Sequence, residues 1–190
     1  RYPRGVVLVV GSTAILTRDV AAAMSPQLLR GIKASTANEQ LFRDRLDQAI
    51  DTVVQNLTDR ELIIQSFWKY KADQTEVRRI PDNFIDQEIA AEVHDNFGDD
   101  QGRFLDHIRS LGLSQAEYRR KVEDDIVYRY MLGQMRSGLP AVLSQEAAVQ
   151  AREAWLSRLR SEARIIRLGD GGTSAVPVSA IPAAAPTQGG

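Results

Sequence analysis

Between residues 39 and 70 the apolar side chains recur with helical spacing. Leu41, Phe42, Leu46, Ile50, Val53, Val54, Leu57, Ile64, Phe67 and Trp68 fall at intervals of three, four and seven, with few gaps. An apolar stripe of this kind predicts one long helix. Thr58 and Glu61 have the spacing of a capping box and offer a place where the helix would break. The stripe carries through that point, so a single continuous helix is the expectation.

The remaining ordered chain reads as more helices, closed at both ends by short strands. Residues 5–16, GVVLVVGSTAIL, hold a β-branched run from Val6 to Val10, a turn at Gly11, Ser12 and Thr13, and a second short run, the pattern of a small hairpin. ARIIRL at residues 163–168 is a second β-like run. Two short runs at opposite ends of a helical chain predict that the termini pair with each other. A ribbon this small is marginal alone and should be covered by helices. Thr17 is the expected N-cap of a first helix through Val20, Met24, Leu28 and Leu29, with Ser25-Pro26 a candidate restart, since Pro suits the first helical position. A polar loop is expected at 31–38 and a charged one at 71–79. Pro81 and Asp82 then open a helix with Phe84, Ile85, Ile89, Val93 and Phe97 directed inward, ended by Gly98. Asp99 or Asp100 caps a short helix through Phe104, Leu105, Ile108 and Leu111, closed by Gly112 at the C′ position. Ser114 and Glu117 form a capping box for the next helix, whose apolar side is Tyr118, Val122, Ile126, Val127, Tyr130 and Met131. A connector at 136–142 leads to a last helix capped by Ser144 and carrying Val149, Ala154, Trp155 and Leu159. The fold class is therefore mainly α: about six helices, with a small β ribbon formed by the N-terminal hairpin and the C-terminal strand. Residues 1–168 read as the ordered core. Residues 169–190, rich in Ala, Pro and Gly with Asp170 as their only charge, read as a disordered tail.

Composition removes much chemistry. The chain has no cysteine, which excludes disulfides, thiol nucleophiles, Cys-type zinc sites and iron–sulfur clusters. Its 2 histidines leave little for metal sites or His-dependent triads. With 24 basic and 25 acidic residues it is not a generally basic nucleic-acid binder. No run of apolar residues is long enough to span a membrane. The chain starts at Arg1 rather than Met, the form expected of a mature exported protein or of a cloned fragment.

Five segments in order resemble the core of SurA-type periplasmic chaperones. VVLVVGSTAILTRDV resembles the opening strand, turn, second strand and helix start, with Thr17, Asp19 and Val20 at the start of that helix. LTDRELIIQ (Leu57 to Gln65) is similar to the family's long-helix motif, and IPDNFIDQEI (Ile80 to Ile89) to the start of its next helix, with Pro81 where the family often has Ser. In GRFLDHIRSLGLSQAEYRRKVEDDI the residues Phe104, Ile108, Gly112, Leu113, Ser114, Tyr118 and Arg119 fit the most specific piece of the pattern. EAWLSRLRSEARIIRL resembles the closing helix and strand. The family usually inserts parvulin-type peptidyl-prolyl isomerase domains before that closing helix; here only a short connector stands there, so isomerase activity is disfavoured. The resemblance implies an ATP-independent chaperone, not an enzyme and without a cofactor, that binds unfolded outer-membrane or exported proteins in the periplasm of a Gram-negative bacterium through a helical cradle. The alternative is a structural or dimerisation module of an envelope assembly factor, with terminal strands or the first helix exchanged between two copies.

Few residues offer themselves as a site. His94, near Asp95, Asp99 and Asp100, and His107, beside Asp106, read as solvated histidines at helix ends rather than metal ligands. Asp124 and Asp125 are adjacent on a helix and do not face each other. Arg152, Arg158, Arg160, Arg164 and Arg167, with Glu153 and Glu162 among them, read as a salt-bridged face. The aromatics and methionines stand out. Phe67, Trp68 and Tyr70 crowd the end of the long helix, and Tyr128, Tyr130, Met131 and Met135 the end of the later one. Core packing at helical spacing accounts for most of them. Adjacent helical residues point about 100° apart, however, so Phe67, Trp68 and Tyr70 cannot share one face and some of this surface must look outward. These seven residues are the candidate client-peptide surface, where Met adapts and aromatic rings supply contact area.

Overall fold

The computed structural model describes residues 5–72, 80–138, 144–169 and 172–174. Among them are four strands and seven helices in the order β1 (Val6–Val10), β2 (Thr13–Leu16), α1 (Thr17–Ala23), α2 (Pro26–Ala34), α3 (Glu39–Ala72), α4 (Asp82–Phe97), α5 (Gln101–Ser110), α6 (Gln115–Ser137), α7 (Gln145–Glu162), β3 (Ile165–Gly169) and β4 (Gly172–Ser174). The architecture is mainly α with one small antiparallel sheet, as the sequence pattern predicts. The described residues cluster into two compact units. One takes those up to Leu62 and those from Gln150 onward; the other takes those from Ile63 to Val149.

The first unit is built on the sheet, ordered β2-β1-β3-β4. The hairpin pairs Leu8 with Ile15 and Val10 with Thr13, and the chain ends meet where Val9 pairs with Ile166 and Val10 with Ile165. β3 continues to Gly169 and pairs with Gly172–Ser174, so three residues expected in the tail form a strand. Leu8, Val9 and Val10 are all buried. Consecutive strand residues face opposite sides, so this central strand is covered on both, which explains an unbroken apolar run where alternation would mark a half-exposed strand. Leu8, Val10 and Ile15 pack with Val20 of α1 and with Val53, Val54 and Leu62 of α3, the helical cover that a short ribbon requires.

The first helical stretch divides at Ser25-Pro26. Met24 leaves the helical region, the Ser25 hydroxyl accepts from the Leu28 amide at 3.1 Å, and Pro26 opens α2, which continues to Ala34 through the first half of the expected loop at 31–38. Leu16, not Thr17, occupies the cap position of α1. The Asp19 carboxylate accepts from the Leu16 amide at 2.8 Å, and the Thr17 hydroxyl is drawn off to the Gly5 carbonyl at 3.0 Å. In α3 the helix passes through Thr58 unbroken, because the Thr58 hydroxyl donates back to the Val54 carbonyl at 2.8 Å instead of capping a new start. The helix also extends two residues into the expected charged loop, to Ala72; residues 73–79 lie outside the described residues.

The second unit contains α4, α5 and α6, packed around Ile85, Val93, Phe104, Ile108, Tyr118 and Val122. Its rings meet edge to face, Phe97 on Phe104 at 5.6 Å and Phe104 on Tyr118 at 5.4 Å. Gly98 ends α4 at φ 60°, the Asp100 carboxylate caps α5, and Ser114 with Glu117 forms the capping box of α6.

Candidate functional site

The second unit brings most of the candidate aromatics together. Ile64 and Phe67 of α3 pack with Val127 of α6, and Trp68, Tyr128 and Met131 lie against them half-buried. The Phe67 ring meets Trp68 edge to face at 4.9 Å and Tyr130 at 5.8 Å. Phe67 is only 6% exposed, so it is a core residue and not a client-facing one. Met135 is half-buried near the end of α6. Tyr70 has a helical backbone, and its side chain lies outside the described residues.

Among the set's described side chains Tyr130 faces outward, 51% exposed. It walls a groove of about 460 Å³ with Ile126 and Arg129 of α6 and with Phe84, Gln87 and Glu88 of α4. Phe84 corrects the sequence expectation: it does not point inward with Ile85 and Ile89 but is 55% exposed. The reason is angular. Ile85, Ile89 and Val93 set the buried face of α4, and Phe84 belongs instead to the stripe Phe84, Gln87, Glu88, Ala91, Glu92 and Asp95, spaced by three and four. A large aromatic at the head of an otherwise small and polar stripe is the signal that marks this residue in the sequence.

The same stripe floors a second cavity of about 420 Å³, bounded across from it by Tyr118, Lys121, Asp125 and Arg129. The two cavities share Glu88 and Arg129, which form an ion pair at 2.5 Å. Lys121 pairs with Asp125 at 3.1 Å. The Tyr118 hydroxyl lies 2.6 Å from both oxygens of the Glu92 carboxylate and donates its one proton to that group. Burial and then that carboxylate hold the Tyr118 hydroxyl well above its ordinary pKa, so it stays a donor. Glu92 and Asp95 form no ion pair with Lys or Arg among the described residues.

The other candidates have structural roles. His94 is exposed and pairs with Asp99 at 3.1 Å, a contact that raises its pKa. His107 is half-buried with its ring 5.4 Å from Phe97, which corrects the expectation of a solvated side chain. Among the described residues no group of three or more His, Asp or Glu is placed to hold a metal ion, and no helix is long and apolar enough to cross a membrane. The arginine cluster is salt-bridged at Arg160 and Arg167, as expected, but Arg160 is buried rather than on a face. Its guanidinium donates to both Asp59 oxygens, at 2.8 and 2.6 Å, and to Glu153 at 2.7 Å. The Asp59 partner comes from α3, about a hundred residues away, and no local spacing announces it.

No model of a known protein family matches the chain, and no curated protein matches it.

Proposed function

We propose that the chain is an ATP-independent chaperone that binds unfolded, extended segments of exported or outer-membrane proteins in the periplasm. The observation that carries the reading is the groove between α4 and α6, where Phe84 and Tyr130, each more than half exposed, present aromatic surface on both walls. Exposed aromatic surface rimmed by charge suits weak, reversible capture of disordered chains, whose ordering entropy keeps affinity modest. The ordered resemblance to SurA-type cores supplies the client class and the compartment. Neither nucleic acid nor membrane insertion has a place in this reading, and a proline-isomerisation assay should stay at background.

The test is light scattering of an unfolded outer-membrane β-barrel protein diluted from denaturant. The chain should slow its aggregation, and the Phe84→Ser/Tyr130→Ser variant should do so much less while keeping its circular dichroism spectrum. Equal aggregation with and without the chain overturns the reading.

A second reading, a dimerisation module, is favoured by Leu28 and Leu29 of α2 and Leu41 of α3, all exposed by more than a third. Sedimentation at several concentrations reads it directly.

A further inference from the structure

We propose that the α4–α6 groove selects extended segments in which an aromatic residue is followed or preceded, four positions away, by Lys or Arg. The inference rests on the chaperone reading and names its client chemistry.

Two cavities of different chemistry adjoin along one helical stripe and meet at the Glu88–Arg129 ion pair. At one end Phe84, Ile126 and Tyr130 offer apolar and aromatic surface. At the other, four carboxylates, Glu88, Glu92, Asp95 and Asp125, line the second cavity against two cations, Lys121 and Arg129. Each cation is spent on one carboxylate, Arg129 on Glu88 and Lys121 on Asp125. The excess negative charge sits at Glu92 and Asp95. The Tyr118 hydroxyl fixes Glu92 in place without neutralising it. An aromatic side chain seated on Phe84 and Tyr130 therefore has a cation subsite further along the same stripe.

The distance sets the spacing. Phe84 and Glu92 are eight residues apart on α4, ~12 Å along the helix axis at ~1.5 Å per residue. An extended segment covers that distance in about four residues at ~3.3 Å each. Side chains of an extended segment alternate sides, so residues four apart both face the groove, whereas residues three apart do not. Either chain direction satisfies the geometry.

The experiment is fluorescence anisotropy with labelled peptides of a Ser/Asn host carrying one Phe. Lys four positions away should bind about tenfold more tightly than Glu at the same position at low ionic strength. The advantage should shrink when Lys is moved to three positions away, and it should vanish in high salt. In the Glu92→Gln/Asp95→Asn variant the Lys and Glu peptides should bind alike, with the Phe dependence retained; Gln still accepts from Tyr118, and circular dichroism verifies the fold. Equal affinity for the Lys and Glu peptides on the unaltered chain overturns the selectivity while leaving aromatic capture intact. Loss of binding for every Phe peptide, together with unslowed aggregation, overturns both proposals.

Discussion

Arg160 carries a buried ion pair in the first unit. Its side chain and that of Asp59 are 10% and 12% exposed and share a two-point hydrogen bond. Asp59 also holds the Arg160 pKa further above its ordinary value, with Glu153 adding to the effect. Replacing Arg160 alone leaves a buried carboxylate without its cation. Arg160→Met should therefore lower unfolding free energy by about 3–5 kcal/mol, and Asp59→Leu/Arg160→Met should recover most of that, read from urea denaturation midpoints. His94 is the pH-sensitive counterpart. Its Asp99 partner raises its folded pKa above the ordinary 6.5. The contact therefore stabilises fully below that ordinary value, and its contribution is lost as pH rises through the raised one. In an NMR titration His94 should titrate above 6.5, and Asp99→Asn should bring it down towards that ordinary value. The Ser114–Glu117 box was legible because both partners lie within four residues. The Asp59 partner of Arg160 was not, since only the fold brings them together.

At the scale of elements, helix ends were the most readable features. Ser25 before Pro26, Asp100, Gly98, Gly112 and Ser114 act through backbone groups within a few positions, so their chemistry is written locally. Gly112 shows the energetic side. It sits at φ 70° just past α5, a conformation that costs an L side chain about 1–2 kcal/mol, while an added Cβ would meet no other atom within 4 Å. Gly112→Ala should therefore lower stability by about that amount, measured by thermal or urea unfolding, with no steric rearrangement. Two local signals were outcompeted. Thr17 is already helical, with Leu16 at the cap, and its hydroxyl donates to the Gly5 carbonyl; Thr58 lies inside an unbroken α3, and its hydroxyl donates to the Val54 carbonyl. A hydroxyl can accept from an amide at a helix start or donate back to a carbonyl, and sequence spacing alone does not say which.

At the scale of the whole molecule, β1 lies between β2 and β3 and so depends on both ends of the chain. Leu8 and Val10, 1% and 0% exposed, lose part of their cover if β3 is removed. Truncation after residue 162 should open the edge of β1 and accelerate amide exchange throughout Val6–Val10, read by hydrogen–deuterium exchange, while α4–α6, with its own core, keeps its protection. The sequence alone determined the helical class, the length of α3, the strand character of both ends and most of the caps, because periodicity and capping are properties of neighbours within a turn or two. It also supplied the aromatic inventory of the candidate site. Only the tertiary structure decided which aromatics are core and which are surface: Phe67 went inside, and Tyr130 and Phe84 stayed out. It alone placed Phe84 beside an acidic cavity and Arg160 on Asp59. The physical reason is that a stripe specifies which face of a helix is buried, whereas the partner of that face, and the charges that meet at its rim, depend on chain segments far away in sequence.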